Sequence, residues 1–446
     1  MGGLLLFLMT SCLDNDDDSS VDDWTLGNAQ IASFSLSHDS IAGLSGVKFT
    51  IDQLNNLIYN KDSMPFGTVL HEKVLCTLSY DNTSLGVMSI LFVETLTGDS
   101  VWGVSDSIDF TAPVMITVYP YDGVSTKTYK AQLNIHQINP DTMIWHKYAD
   151  LISGETFSDA KVIAHDGFYY MYARQNSGYR LFKTDIADMI NWKEVGLSGF
   201  PDKAILSQMF ELEGNWYVLS EDGLLYMAVG QEPGEWLRVE QVSSLKALLG
   251  AVPENTITNR ASVLSGIIEE DGVLRFVSMD KNMKSTIGQE VPQAFPLSGF
   301  GGFNYESMHY PRLVIAAGRD MKNNLSDKAW ATMDGLSWAS LSGTGSTFSA
   351  REGAAVSYYD GCFFLIGGLN ASGEGLDDIF YSKDHGVTWV DTAYVMAEEF
   401  AARGFASIVV DKNDYMLLFG GKAGKNTNVL SELWRGRINR LGFGKE

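Results

Sequence analysis

The sequence predicts an all-β protein, a β-sandwich followed by a six-bladed β-propeller. Three observations predict it. Glycine supplies 44 of 446 residues, above the usual ~7%. With 23 Phe, 19 Tyr and 10 Trp, that composition suits many short strands joined by tight turns. Apolar and polar residues alternate with period two in short segments of the first third of the chain, the mark of strands with one buried face. In the rest, tryptophans recur at the spacing of a propeller repeat.

Charge narrows the function classes. Asp and Glu number 55 against 32 Lys and Arg, a formal net charge of −23. Nucleic acids and anionic lipid surfaces select basic faces, so this balance argues against both as partners.

The N-terminus gives an address. Gly3–Met9 is an apolar run, far short of the ~20 residues that span a bilayer but long enough for the core of a signal peptide. It ends in Met9-Thr10-Ser11-Cys12, and acidic residues follow from Asp14 to Asp23. Small residues before a cysteine resemble a bacterial lipobox, with Met9 where Leu is usual. The acidic stretch resembles the export signal of Bacteroides-type surface lipoproteins. The resemblance implies lipid on Cys12 and an outer-membrane, surface-exposed location. The expected division is a signal peptide over 1–12, an acidic tether over 13–27, a sandwich over 28–139 and a propeller over 140–446.

In the sandwich the clearest strand is Thr128–His136, with Tyr129, Ala131, Leu133 and Ile135 on one face. Val114–Tyr119 precedes it across a turn at Asp122-Gly123, which reads as a hairpin. Val47–Ile51 and Val74–Leu78 give two more strands. About 110 residues of short strands suit an immunoglobulin-like module, a spacer with no chemistry of its own. Cys76 and Cys362 sit in apolar runs and read as buried free thiols. Asp followed by Ser or Thr and then an aliphatic residue or Met occurs at Ser40, Ser63, Ser100, Ser107 and Thr142. Turn formation explains these pairs, and they also resemble the O-glycosylation acceptors of Bacteroides-type exported proteins.

In the propeller, Trp145, Trp192, Trp236, Trp338 and Trp389 are separated by 47, 44, 102 and 51 residues. The double interval leaves room for Phe295 to stand in for a missing Trp. An apolar strand precedes each landmark after Trp145, and one more follows Trp389: Phe168–Met171, Trp216–Leu219, Leu274–Val277, Leu313–Ala316, Phe363–Ile366 and Tyr415–Phe419. These six runs give six blades. Trp145 has no blade before it, so Ile144–Tyr148 is expected to pair with the last blade and close the ring, leaving no sheet edge. Gly367-Gly368 and Gly420-Gly421, with Arg351 and Arg403 upstream, resemble kelch repeats, in which glycine lets inner strands crowd and turn. Ser382, Asp384, Gly386, Thr388 and Trp389 fit the Asp-box of sialidase-like propellers, and Thr332–Trp338 is a shortened copy. The whole layout resembles a family of Bacteroides-type surface lipoproteins with an Ig-like domain and a kelch or galactose-oxidase-like propeller.

No complete catalytic set emerges. Of seven histidines, only His165, His309 and His385 fall securely in the propeller, too few beside the tyrosines and cross-linked Cys that a copper oxidase needs. No metal and no cofactor is expected. Arg260, Arg351 and Arg403 share a spacing that would place them around one channel mouth, either bracing blades or holding an anion. Phe303, Tyr305, His309 and Tyr310 form an aromatic segment that is either core or a platform for sugar rings. The expected function is a non-enzymatic surface module binding a glycan or glycoprotein. The alternatives are a glycan-active enzyme, sialidase-like or lyase-like, and a protein-docking or adhesion scaffold.

Overall fold

The computed structural model describes residues 29–442, apart from 71–72, 81–89, 96–97, 102, 104–105, 121–123, 177, 231, 243, 342, 344 and 346. Cys12, the acidic stretch and the Asp122-Gly123 turn lie outside the described residues. The chain forms two compact units, Met1–Pro140 and Asp141–Glu446.

In the first unit, Ile31–Ser37, Val74–Tyr80 and Ser107–Ile108 make one sheet. The second sheet runs in the order Phe49–Asp52, Leu57–Asn60, Lys127–Gln132, Val114–Tyr119, Ile90–Thr95, Gly98–Val101. Both sheets contribute to one core that includes Ile31, Leu36, Cys76, Ile116 and Tyr129. The Tyr129 hydroxyl joins them: it accepts from the Ile31 backbone at 3.2 Å and donates to Gln53 Oε1 at 2.6 Å. The strand expected to reach His136 ends at Gln132. Beyond it, Asn134 donates its backbone N–H to Asn60 Oδ1 at 2.6 Å and its amide to the Asn60 carbonyl at 2.9 Å. Backbone pairing resumes as a parallel bridge between Met64 and Ile135, with Met64 N–H donating to the Asn134 carbonyl at 2.8 Å and His136 N–H to the Met64 carbonyl at 3.0 Å, so the period-two pattern outlasts the strand.

The second unit contains six sheets among the described residues. Their innermost strands are Asp159–His165, Ala204–Leu212, Ala247–Val252, Gly301–Ser307, Ala355–Tyr359 and Ser407–Val410. Each lies beside the next, and the last lies beside the first. This radial repetition is a β-propeller. The sheets are numbered here one to six in that order.

Local sequence explains the hairpins that start four of the sheets. Asp166-Gly167, Glu213-Gly214, Met308-His309 and Asp360-Gly361 all take positive φ at both positions, the two-residue geometry that matches strand twist. Sheet three differs. Its Asp271-Gly272 turn, also at positive φ, joins the second strand Val263–Glu270 to the third strand Val273–Met279. Leu274–Val277 therefore belongs to a third strand, whereas the other five apolar runs fall on second strands.

The ring closes through Met143–Asp150, which pairs antiparallel with Glu432–Ile438 as the outer strand of sheet six. Trp145 lies opposite Gly436 and is buried. A Cβ at Gly436 would come within 2.4 Å of the indole, so glycine makes the slot that the ring fills.

Phe295 does not replace a tryptophan. It sits in the connection into sheet four, fully buried, 5.2 Å from Trp330 and 5.2 Å from Trp338. Three other connecting phenylalanines repeat the contact edge-on: Phe200 on Trp236 at 5.1 Å, Phe348 on Trp389 at 5.2 Å and Phe400 on Trp434 at 5.2 Å. Each Phe–Trp pair wedges a connection into a sheet.

Candidate functional site

A cavity of about 350 Å³ opens between the inner strands of the ring. Asp159 and Lys161 are two residues apart on the first inner strand, so they share a face. Arg174 lies directly opposite Asp159 in register. Lys422 approaches from sheet six just after Gly420-Gly421, and Glu221 from the end of the second strand of sheet two. Charge thus collects on sheets six, one and two. Sheets four and five line the other side with Phe300, Gly301, Gly302, Phe303 and Gly353–Ala355.

Among the described residues, no hydrogen bond or ion pair joins Lys161, Arg174 or Lys422 to Asp159 or Glu221. They still feel one another. Burial pushes the Asp159 carboxyl up, while Lys422, Arg174 and Lys161 pull it down less strongly. Burial pushes the Lys161 ammonium down, against the opposing pull of Asp159. Removal from water disfavours the charged form of each.

Phe405 borders the same cavity in a left-handed conformation, φ 58°. Its counterparts before the inner strands of sheets four and five are Gly299 and Gly353, at φ 62° and 66°. The three are linked in series: Phe405 N–H donates to the Gly353 carbonyl and Gly353 N–H to the Gly299 carbonyl, each at 2.6 Å. A bulky residue rarely adopts this φ. Lys422 Nζ lies 5.4 Å from the Phe405 ring centroid.

The three expected arginines do not meet at this cavity. Arg351 and Arg403 are buried and fully engaged. Arg351 donates to the carbonyls of Ser349 at 2.8 Å and Gly367 at 2.9 Å and to Asp378 Oδ2 at 2.9 Å. Arg403 repeats the set on Ala401 at 2.8 Å, Gly420 at 2.9 Å and Glu432 Oε2 at 2.6 Å. Each ties its connection to the first glycine of a pair and to a carboxylate on the third strand. Arg260 lies between the first and second strands of sheet three, at the opposite end of the inner strands. It is half-buried and donates to the Ala261 carbonyl at 2.8 Å and the Pro253 carbonyl at 2.5 Å. The turn that follows it at the shared spacing, Asp271-Gly272, joins the second and third strands, one hairpin later than in the other sheets. Arg319, which no motif marked, donates to Glu352 Oε1 at 2.6 Å.

The aromatic segment also disperses. Phe303 borders the cavity but packs its ring on Phe363 at 4.8 Å, next to Tyr305, which is buried among Tyr358, Phe363 and His385, so both belong to the core. His309 is exposed at a hairpin, 3.6 Å from Glu306, and Tyr310 begins the next strand. They form no joint platform.

The Ser382–Trp389 turn is closed by its own side chains. Asp384 Oδ1 accepts from Ser382 Oγ and from Thr388 N, each at 2.8 Å, and Oδ2 accepts from Thr388 Oγ1 at 2.6 Å. Gly386 N–H donates to Ser382 Oγ at 2.8 Å, and the Trp389 indole donates to the Gly386 carbonyl at 3.1 Å. Asp334 makes a similar closure, accepting from Leu336 N at 2.9 Å and Ser337 N at 3.0 Å. Ser40, Ser107 and Thr142 are exposed, Ser63 is half-buried, and Ser100 lies on the strand Gly98–Val101. Cys76 is buried, its thiol pushed up to about 12 by burial, and Cys362 is only half-buried. Among the described residues, no group of three or more His, Cys, Asp or Glu could hold a metal ion, and no helix is long and apolar enough to cross a membrane.

A closed ring of sheets with a central cavity, preceded by a separate β-sheet unit, defines a two-domain β-propeller protein. The chain belongs to the DUF6242 family: the DUF6242 beta propeller domain matches residues 139–446 and the DUF6242 N-terminal domain matches residues 25–133. Among solved structures it is similar to the one titled "Structure of YjhT", at 14% identity and a TM-score of 0.45, over 63% of this chain and 95% of that one. No curated protein matches.

Proposed function

We propose that the protein is a non-enzymatic binding module whose propeller captures a glycan or glycoprotein at the cell surface. In this reading Cys12 carries the lipid anchor on the outer membrane, and the first unit is an Ig-like spacer. The second is a six-bladed kelch-like propeller with Asp-box turns, and Ser40, Ser63, Ser100, Ser107 and Thr142 are O-glycosylation acceptors. The observation that carries the binding role is the channel itself. A cavity of about 350 Å³ falls within the ~300–1,000 Å³ of small-molecule sites. Asp159 and Lys161 stand on the first inner strand and Arg174 on the strand paired with it, so this part of the site is preformed. The test is a melting-temperature screen of the full chain in detergent against polysaccharides and glycopeptides. A ligand that raises the melting point supports the module; a panel that leaves it unmoved sinks it.

One observation favours a second reading, a glycan-active enzyme. Burial shifts Asp159 and Lys161 in opposite directions, each toward its neutral form, as acid–base catalysis requires. Release of reducing sugar from any polysaccharide, abolished by Asp159→Asn, would establish it.

A further inference from the structure

The channel mouth has an unusual division. Lys161, Arg174 and Lys422 gather around Asp159, yet none of them closes an ion pair with it or with Glu221 among the described residues. Long cationic side chains beside a carboxylate would normally collapse onto it, because the pair lowers the cost of burial. Held apart, they keep donors available to something that enters the cavity. They do so in a chain of net charge −23, where a local excess of cations runs against the overall field.

Phe405 supplies the second half of the site. Its strained backbone places the aromatic ring against Gly353, where a Cβ would come within 2.6 Å of the ring. Glycine occupies the equivalent place in sheets four and five, so the fold itself does not need the side chain. Strain kept at a cavity points to a role in what the cavity holds. A ring face beside cations suits a ligand with one flat C–H face and one anionic group.

We propose that the channel mouth binds an acidic sugar, its carboxylate or sulfate among Lys161, Arg174 and Lys422 and its ring face on Phe405. This rests on the binding-module reading and names its ligand class.

The experiment is calorimetric titration of the full chain in detergent with trigalacturonic acid, its methyl ester and a sulfated disaccharide. The acid or the sulfated sugar should bind and the ester should not. Lys161→Met and Lys422→Met should each weaken binding roughly tenfold, as for one lost charge-assisted contact. Asp159→Asn should tighten it, because a like charge leaves the anion's surroundings. Phe405→Gly should weaken binding while leaving the melting temperature unchanged or higher, since the strain goes with the side chain; this outcome a merely structural Phe405 would not give. Equal binding of acid and ester overturns the charge assignment and leaves the module intact. Binding of a neutral polysaccharide alone does the same. Failure of every glycan overturns both.

Discussion

Arg351 and Arg403 are among the largest fully buried side chains of the protein, and each gives up hydration only because carbonyls and a carboxylate replace it. Their environment makes them props for the ring. Removing either guanidinium leaves a carboxylate and two carbonyls without their donor, so Arg351→Ala and Arg403→Ala should each cost about 3 kcal/mol in urea denaturation. Arg260→Ala, losing two local contacts on a half-exposed side chain, should cost under about 1 kcal/mol. Glu432 adds a pH test. Burial pushes its carboxyl up, but the Trp434 indole and the Arg403 guanidinium more than offset this, and the group sits below its ordinary range. A depressed folded value means that its contribution is complete above the unfolded value of ~4.3. That contribution fades as pH falls through the folded value. Glu432→Gln should therefore be less stable than the wild type near pH 7, and the gap should narrow as pH falls below ~4.3. A gap that stays constant or widens on acidification would contradict this. At this scale the Asp384 turn was legible, because a short acidic side chain closing its own backbone is written within eight residues. The charged cavity was not, because Asp159, Lys161, Arg174, Glu221 and Lys422 are scattered along the chain and only the ring gathers them.

The closing strand was legible from a surplus: Trp145 had no sheet before it to belong to. Its partner was not, because nothing in the sequence singles out Gly436 among 44 glycines. The slot gives a coupled test. Trp145→Ala should cost about 3–5 kcal/mol. Gly436→Ala, with its methyl pressed into the indole, should destabilise by about 1–3 kcal/mol. The double variant should be no worse than Trp145→Ala, because the methyl then enters vacated space; additive losses would show that the two do not meet. Sheet three misled the reading for a physical reason. Asp271-Gly272 has the same chemistry as the turns that join first and second strands elsewhere, and a two-residue turn carries no mark of its place in the sheet. The longer 253–262 connection displaced the count by one strand and took Arg260 to the wrong end of the channel. Phe295 misled similarly, since a buried aromatic at the right interval reads like a missing Trp until its neighbours are known.

For the whole molecule, location turns on a residue outside the described region. If Cys12 carries lipid, full-length Cys12→Ala expressed in a Bacteroides-type host should leave the membrane fraction; a variant that stays membrane-bound refutes the anchor. The two-domain division was readable because the repeat spacing begins abruptly at Trp145, whereas a ligand class was not readable before the inner strands were assembled. The closure also has a consequence in time. Within the ring, Met143–Asp150 is made first and satisfied last, since its partner Glu432–Ile438 is the final strand of sheet six. At ~5–20 residues per second, this strand waits roughly 15–60 s with an unpaired edge while sheets one to five form in sequence behind it. The last turn of the ring is thus a clock on biosynthesis. Any chain released early lacks Glu432–Ile438 and carries an open seam, so truncated products should aggregate through that unpaired edge and not persist as stable monomers.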